Sequence, residues 1–286
     1  MIRFCWPLLL LLAGCPAPSE KTAYETVKVR NNIDCDGKAF NKGKVTELQI
    51  VASNVTIRRC KINGSIRTIG LGRNGEAASV TKSSIKPGHT ARAQAAAPRN
   101  TKLYGLTITG HGRIPLYLGP GTTNASFVDS IINGRSDSVA IYLDAESANN
   151  ILRNNSISIA NPPREIIALD GSANNQLIGN TIRQAPNGAI YLYRNCGEGG
   201  TVRHQAPQNN FIAGNTISLS GLSWNNHGIW LGSRNGGRMY CSADDGFPFG
   251  SSKNNGDFAN NNTLRDNSFT GSSRAIKDDG KGNSID

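Results

Sequence analysis

The residues best suited to chemistry are concentrated in two stretches of the C-terminal half of the 286-residue chain. Residues 193–205 contain Tyr193, Arg194, Glu198, Arg203 and His204. Residues 233–258 contain Arg234, Asn235, Arg238, Tyr240, Asp244 and Asp245. Arginine can neutralise an anion, tyrosine and histidine can exchange protons, and carboxylates can act as acids, bases or cation ligands. The two stretches are therefore the candidate functional regions.

A repeated pattern surrounds these stretches and predicts how they are positioned. The segment at residues 149–157 recurs at 174–182, 209–217 and 261–269, with weaker copies ending near residues 62, 85, 108 and 132. Most copies are about 24 residues apart, with apolar residues at alternate positions, a spacing that is typical of stacked repeats. Helical repeats of this length would not carry so much Asn and Gly, so the pattern predicts short strands stacked in parallel coils.

The last two steps of the repeat are longer, and the extra residues are the two candidate stretches. Each stretch follows a strand-like segment, 189–192 or 228–231, and precedes an Asn-Asn pair. Both should therefore leave the coil at the same corner of successive turns, and long insertions on a repeat scaffold commonly form its binding face. Asp144 and Asp170 follow the equivalent strands of two earlier turns, so they could line the same groove.

The cycle G-I-x-L followed by N-N-x-I-x-x-N-x-I resembles the repeat of right-handed parallel β-helix proteins of the pectate-lyase-like superfamily. The resemblance covers roughly residues 30–285 and implies an all-β fold. The expected domain is a single right-handed parallel β-helix, residues 30–286, of about nine coils with two long loop insertions near its C-terminal end. It also implies inward columns of Ile, Leu and Val and a ladder of side-chain amides through Asn155, Asn180, Asn215 and Asn267.

The cysteines fit this arrangement. Of the six in the chain, Cys5 and Cys15 belong to the N-terminal segment, and the remaining four in an exported chain favour two disulfides with three connectivities. Zinc is a poor interpretation, because the chain has no CxxC pair. The stacked coils that the resemblance implies select the pairs Cys35–Cys60 and Cys196–Cys241, the second of which would tie the two loop insertions together.

The N-terminal residues are predicted to be a targeting signal. Arg3 precedes the apolar run 8–12, which small residues follow, as in a secretory signal. The Leu12-Ala13-Gly14-Cys15 quartet resembles a bacterial lipobox, which implies a signal peptide at residues 1–14, lipidation of Cys15, and a tether with N-terminal cap at residues 15–29. Pro16 resembles the signal for retention in the outer membrane of Gram-negative bacteria. A plain secretory signal is the alternative.

The positive charge of the chain is an N-terminal property. The formal net charge is +11, and residues 1–100 hold 16 of the 31 basic but only 6 of the 20 acidic residues. This end of the chain would lie near anionic lipid or lipopolysaccharide if it is anchored in the envelope. Nucleic acid is not an expected partner, because the basic residues are scattered singly and no recognition motif is present. No apolar run has the length needed to cross a bilayer. The sequence gives no indication of oligomeric state.

The resemblance also implies a substrate class, because proteins of this superfamily mostly act on or bind acidic polysaccharides. A uronate lyase or epimerase must neutralise the substrate carboxylate, remove the C5 proton and protonate the departing glycosidic oxygen. The candidates for neutralisation are Arg203, Arg234 and Arg238, or a Ca²⁺ held by Asp144, Asp170, Asp244 or Asp245. The candidates for proton transfer are Tyr193, His204 and Tyr240, and those for further substrate contacts are Arg194, Glu198, Trp230 and Asn235.

Two alternatives to this enzyme remain. A glycoside hydrolase would need a carboxylate pair, for which Asp244 and Asp245 with Glu198 are the candidates, but that signal is weaker. A non-catalytic lipoprotein could bind a cell-envelope glycan or a protein through the same loops. The direction of Trp230 and Tyr191 is open, because either could face outward to a sugar or inward to the core.

Overall fold

The computed structural model describes residues 22–72, 77, 88–195, 202–221, 226–232 and 256–286, and within them short parallel strands recur at similar positions of each turn. Several residues of the sequence analysis lie outside the described ranges: Cys15, Cys196, Glu198, Arg234, Asn235, Arg238, Tyr240, Cys241, Asp244 and Asp245. In the first half of the chain the strands are β1 (Glu25–Val29), β2 (Ile33–Asp34), β3 (Thr46–Ile50), β4 (Thr56–Arg58), β5 (Lys61–Thr68), β6 (Lys102–Tyr104), β7 (Thr107–Gly112), β8 (Leu116–Leu118), β9 (Ser126–Val128), β10 (Ile131–Ser136) and β11 (Ile141–Leu143). In the second half they are β12 (Ile151–Arg153), β13 (Ser156–Ser158), β14 (Ile167–Asp170), β15 (Gln176–Ile178), β16 (Thr181–Ala185), β17 (Ile190–Tyr193), β18 (Phe211–Ala213), β19 (Thr216–Leu219), β20 (Ile229–Leu231), β21 (Thr263–Arg265), β22 (Ser268–Thr270), β23 (Ile276–Asp278) and β24 (Ser284–Ile285).

The strands form three faces of a coil. Sheet A contains β1, β3, β5, β8, β11, β14, β17, β20 and β23 in that order. Sheet B contains β2, β4, β6, β9, β12, β15, β18, β21 and β24, and sheet C contains β5, β7, β10, β13, β16, β19 and β22. Each strand pairs in parallel with the strand one turn away, so the described chain is nearly all β.

Strand β5 belongs to two faces because it bends at Gly64. Its first residues pair with β7 and its last with β8. Gly64 has a φ of 139°, and a Cβ there would lie 2.0 Å from the carbonyl oxygen of Thr46. Only glycine fits such a close approach of two backbones.

The core is a set of apolar columns inside the coil. In sheet A, Ile141 lies between Leu116 and Ile167, and all three side chains are buried. In sheets B and C the inward-facing residues are buried in the same way, as at Leu152 and Ile157. One coil alone would leave these side chains in water, so stacking supplies the hydrophobic stabilisation of the fold.

The predicted asparagine ladder is confirmed. Nδ2 of Asn155 donates to Oδ1 of Asn180 at 2.9 Å, Asn180 donates to Asn215 at 3.0 Å, and Asn215 donates to Asn267 at 2.8 Å. A second ladder, which the sequence analysis did not predict, precedes sheet B and contains Asn150, Asn175, Asn210, Asn262 and Asn283. The buried turns on both sides of sheet B are therefore held by side-chain amides from coil to coil.

The disulfide Cys35–Cys60 is also confirmed, with the two Cα atoms 4.8 Å apart on neighbouring coils. The Cys196–Cys241 pair stays a prediction, because both residues lie outside the described part of the chain.

The structure corrects one part of the predicted repeat. The weak copy at residues 80–85 lies outside the described residues, but β4 pairs directly with β6, with Thr56 opposite Lys102. No coil fits between them, so residues 69–98 form an insertion that contains the helix α1 (His89–Ala95). A 3-10 turn spans Phe40–Gly43. No helix in the described ranges is long and apolar enough to span a membrane.

Candidate functional site

Three insertions leave the coil at one corner, where the strands of sheet A end. They are residues 69–98 after β5, 194–207 after β17 and 232–258 after β20. We call this place the insertion corner. Asp144 and Asp170 follow β11 and end β14 at the same corner. The sequence analysis predicted two of the three insertions and their common position.

A buried ionic network joins the second insertion to the coil. The guanidinium of Arg203 lies between two carboxylates, with Nη2 3.0 Å from Oδ1 of Asp144 and Nε 2.8 Å from Oδ2 of Asp170. Tyr117 donates a short hydrogen bond to Asp144, and Tyr142 donates to Asp170 at 2.5 Å. Burial, followed by the carboxylate charges, raises the pKa of both phenols well above 10, so both stay protonated at neutral pH.

The described residues do not fit a Ca²⁺ ion at this position. Asp170 is completely buried, and its two oxygens already accept from Asn195, Tyr142 and Arg203. Ca²⁺ needs six to eight oxygen ligands, whereas the described part of the chain contains no group of three or more His, Cys, Asp or Glu placed for a metal. The side chain of Arg203 supplies the positive charge between the two aspartates.

Glu146 joins the first insertion to the second. Its carboxylate accepts from Oγ1 of Thr90 at 2.5 Å and from the backbone N–H groups of His204 and Gln205 at 2.5 and 3.2 Å. The rings of His204 and His89 stack with their centroids 3.9 Å apart. Burial raises the pKa of Glu146, although these hydrogen bonds oppose it.

Arg194 joins the second insertion to the third. Its backbone N–H donates to Oδ1 of Asp257 at 3.0 Å, and its Nε donates to the carbonyl of Gly256 at 3.0 Å. Burial lowers the pKa of Arg194 to about 10, with Asp257 opposing the shift. The ends of the two insertions are therefore in direct contact, as their common corner predicts.

Tyr193 is fully buried beside the coil. Its hydroxyl donates to Oε1 of Glu165 at 2.9 Å and accepts from Nη2 of Arg164 at 2.5 Å. The structure thus brings Tyr193, Arg194, Arg203 and His204 to one corner, where their contacts anchor the insertions.

The outer face of sheet A carries a column of aromatic side chains. Tyr117, Tyr142, Tyr191 and Trp230 occupy matching positions of β8, β11, β17 and β20, with Ala168 of β14 between the second and third. Both Tyr191 and Trp230 lie on the side of sheet A away from the apolar core, but Tyr191 is buried in a second cluster with Tyr142 and Tyr193. Trp230 is partly exposed and lies under Nζ of Lys277, 4.6 Å from the ring centroid.

A cleft of about 480 Å³ opens at the N-terminal end of this face. It is lined by Glu47, Ser65, Arg67, Arg113, Ile114 and Tyr117. Oε2 of Glu47 lies 2.6 Å from Nη1 of Arg113 and 3.4 Å from Nη1 of Arg67, and Cζ of Arg67 lies 4.7 Å from the ring centroid of Tyr117. Burial alone would raise the pKa of Glu47, but a hydrogen bond from Gln49 and the two arginines outweigh it and lower the pKa. One ionised carboxylate thus faces two cations that are 36% and 49% exposed.

The family of the fold follows from comparison with known proteins. The family model described as "Right handed beta helix region" matches residues 27–197. The chain belongs to this β-helix family. Two solved structures are similar, both A-modules of mannuronan C-5 epimerases from Azotobacter vinelandii. That of AlgE4 is 13% identical with a TM-score of 0.33 and covers 85% of this chain and 81% of that one. That of AlgE6 is 12% identical with a TM-score of 0.35 and covers 88% and 79%. A search of curated proteins gives no match.

The cleft of this β-helix protein was missed in the sequence analysis, although a signal was present. Leu116-Tyr117-Leu118 has the same apolar–aromatic–apolar form as the three residues of β11, and Ile66-Arg67-Thr68 precedes it one coil earlier. Reading these triplets as further copies of the sheet A strand would have placed Arg67 and Tyr117 on the outer face. The contact of Glu47 with Arg113 joins residues that are 66 positions apart, and no local pattern predicts it.

Proposed function

We propose that this β-helix protein binds an acidic polysaccharide along the outer face of sheet A. One observation carries the proposal: in the cleft, the partly exposed Arg67 and Arg113 flank a single carboxylate, Glu47, beside the aromatic ring of Tyr117. Two guanidinium groups with spare N–H donors suit a sugar carboxylate, and an adjacent ring suits the apolar face of a sugar. The aromatic column continues along the same face to Trp230, but Tyr142 and Tyr191 are buried within it. The partly exposed rings, Tyr117 and Trp230, therefore lie at its two ends.

Catalysis on the same polymer, as a uronate lyase or epimerase, is a second candidate. The observation that favours it is the position of Tyr117, whose phenol lines the cleft and is held by Asp144. Tyr117 would be the proton donor of such a reaction while Arg67 and Arg113 neutralise the carboxylate. The raised pKa makes this phenol a weak acid, so proton transfer from it would be slow. The base is assigned to the insertions at residues 193–205 and 233–258, where Tyr240 and His204 are candidates.

The location proposed for this activity is the cell envelope. The lipobox-like residues that end at Cys15 and the basic N-terminal hundred residues support an anchor in a bacterial outer membrane.

Binding is tested by calorimetric titration of the purified protein with alginate, pectate and glycosaminoglycans, with dextran as the neutral polymer. Arg67→Gln and Arg113→Gln should each weaken binding of the preferred acidic polymer about tenfold, because each removes a charge-assisted hydrogen bond worth about 1.5 kcal/mol. Arg183→Gln is the matched control, because Arg183 is an exposed arginine of sheet C. An equal loss in all three variants would indicate general attraction to positive charge and contradict the proposed site.

Catalysis is tested on the same polymers in D₂O. An epimerase or a lyase must break the C5–H bond, so an epimerase should introduce deuterium at C5 and a lyase should produce an unsaturated, ultraviolet-absorbing uronate. Binding without either product would assign the protein to the non-catalytic class.

A further inference from the structure

Phe258 occupies a backbone position that is left-handed in several coils. Four residues before the ladder positions Asn150, Asn175 and Asn262 lie Glu146, Gly171 and Phe258, and their φ angles are 62°, 67° and 52°. The corner thus requires a left-handed residue in several coils. The other non-glycine residues with positive φ in the described ranges are polar, and most are Asn or Asp, which tolerate this region, whereas a bulky residue there is a rare exception.

The ring of Phe258 is nevertheless held in place and left open to solvent. The buried guanidinium of Arg194 lies 4.9 Å from the ring centroid, and the ring packs over Gly256, where a Cβ would lie 2.7 Å from Cζ of Phe258. Despite these contacts the residue is 45% exposed, so burial of the ring does not account for the strained backbone. Strain of this kind concentrates at functional positions.

The surroundings of the ring are polar. Phe258 lines a cavity of about 300 Å³ together with Gly232, Asn260, Asp279 and Lys281. Asp279 also accepts a hydrogen bond from Nε1 of Trp230 at 2.9 Å, which joins this cavity to the aromatic column of sheet A. An aromatic platform with an amide, a carboxylate and an ammonium group at its rim is suited to a sugar ring, which offers an apolar face and several hydroxyl groups.

We infer that Phe258 is a stacking subsite for one sugar of the acidic polymer, at the far end of the surface that begins at the Arg67 cleft. This inference rests on the proposed function. Five coil steps separate β5 from β20, which corresponds to roughly 24 Å at about 4.8 Å per step. A ligand that contacts both ends must therefore be a chain of several sugars, and affinity should increase with chain length until the chain spans that distance.

The test is calorimetric titration with alginate and oligogalacturonate oligomers of increasing length, using the full chain. Phe258→Ala should lower the affinity for long oligomers about tenfold, about 1.4 kcal/mol, and leave the affinity for the shortest ones unchanged. The affinity of Phe258→Trp should still increase with the length of the oligomer. The matched control is Ile131→Ala, because Ile131 is also 45% exposed but lies on sheet C.

A second variant separates this role from a structural one. Phe258→Asn introduces a residue that tolerates the left-handed region, so the Tm of this variant should be unchanged or higher. Its affinity for long oligomers should fall as much as that of Phe258→Ala. A Tm that falls by several degrees would show that the ring stabilises the corner and would overturn the subsite.

The remaining outcomes distinguish the two proposals. If Arg67→Gln weakens binding but Phe258→Ala binds long oligomers as tightly as the wild type, the subsite is refuted and the proposed function stands. If the wild type binds no acidic oligomer of any length, both are refuted.

Discussion

The Nε atom of Arg203 lies 2.8 Å from Oδ2 of Asp170, and both side chains are almost completely removed from solvent. The same guanidinium reaches Asp144 one coil away, so one residue of the second insertion is paired with two turns of the β-helix. Such a group loses its hydration and depends on its partners, and each partner in turn depends on it. The network therefore fixes the insertion to the scaffold.

Replacement of Arg203 tests this role. Arg203→Met should lower the free energy of unfolding by about 3–5 kcal/mol, because it leaves two buried carboxylates without their cation. Arg265→Met breaks the exposed Arg265–Asp286 pair and should change stability by less than about 1 kcal/mol. Urea denaturation of both variants measures the difference, and comparable effects would contradict a buried anchoring network.

The pH dependence of stability should report on Glu146. Its pKa in the folded protein is raised above the ordinary value of 4.5, so the folded state binds the proton more tightly than the unfolded state does. The stabilisation from this group is therefore complete below pH 4.5 and is lost as the pH rises through the folded pKa. Glu146→Gln removes this titration.

The difference in unfolding free energy, wild type minus Glu146→Gln, should consequently decrease between pH 4 and pH 7. Denaturation at several pH values measures it. An increase over the same interval would mean that the bonds from Thr90 and the backbone of His204 and Gln205 outweigh burial and lower the pKa instead.

The fold was largely predictable because each coil carries the same short pattern of residues in its own sequence. An inward Ile or Leu at alternate positions and an amide at a fixed turn recur in each copy, so one good copy such as residues 174–182 predicts the position of Asn155, Asn180 and Asn215. Cys35 and Cys60 follow from the same period. The weak copy at residues 80–85 does not add a coil, because β4 pairs directly with β6, and alternation of apolar residues over so short a segment is a weak signal.

The site was less predictable because its contacts join distant parts of the chain. The sequence indicated that the insertions share a corner, and the contact of Arg194 with Asp257 agrees. It gave no information on burial, however, so Tyr193 could be named for its phenol but not recognised as enclosed by Glu165 and Arg164. The left-handed backbone of Phe258 is likewise visible only once the coils are stacked.

The asparagine ladder should be a major source of stability. Asn180→Ala removes the bonds to the carbonyl of Leu152 and to Asn215, and it leaves the donors of Asn155 without their acceptor. Because each buried, unpaired group costs about 1–3 kcal/mol, the variant should lose about 3 kcal/mol or more. Thr181→Ala is the adjacent control, a partly exposed outward residue that should cost less than about 1 kcal/mol in the same denaturation experiment.

The predicted Cys196–Cys241 disulfide can be tested through the ends of the insertions that carry it. The bond between the backbone N–H of Arg194 and Asp257 already holds the start of one insertion against the end of the other, so a disulfide between the two would close a short cross-link. Peptide mapping without reductant should therefore yield a linked peptide that contains both cysteines.

A Cys196→Ser, Cys241→Ser double variant should be cleaved faster by protease within residues 196–201 and 233–255, because the cross-link no longer limits opening of the insertions. Cleavage within the strands of the β-helix should stay at the wild-type rate, since Cys35–Cys60 and both asparagine ladders are intact in that variant. Labelling of Cys196 and Cys241 by an alkylating reagent in the unreduced protein would show that the pairing is wrong.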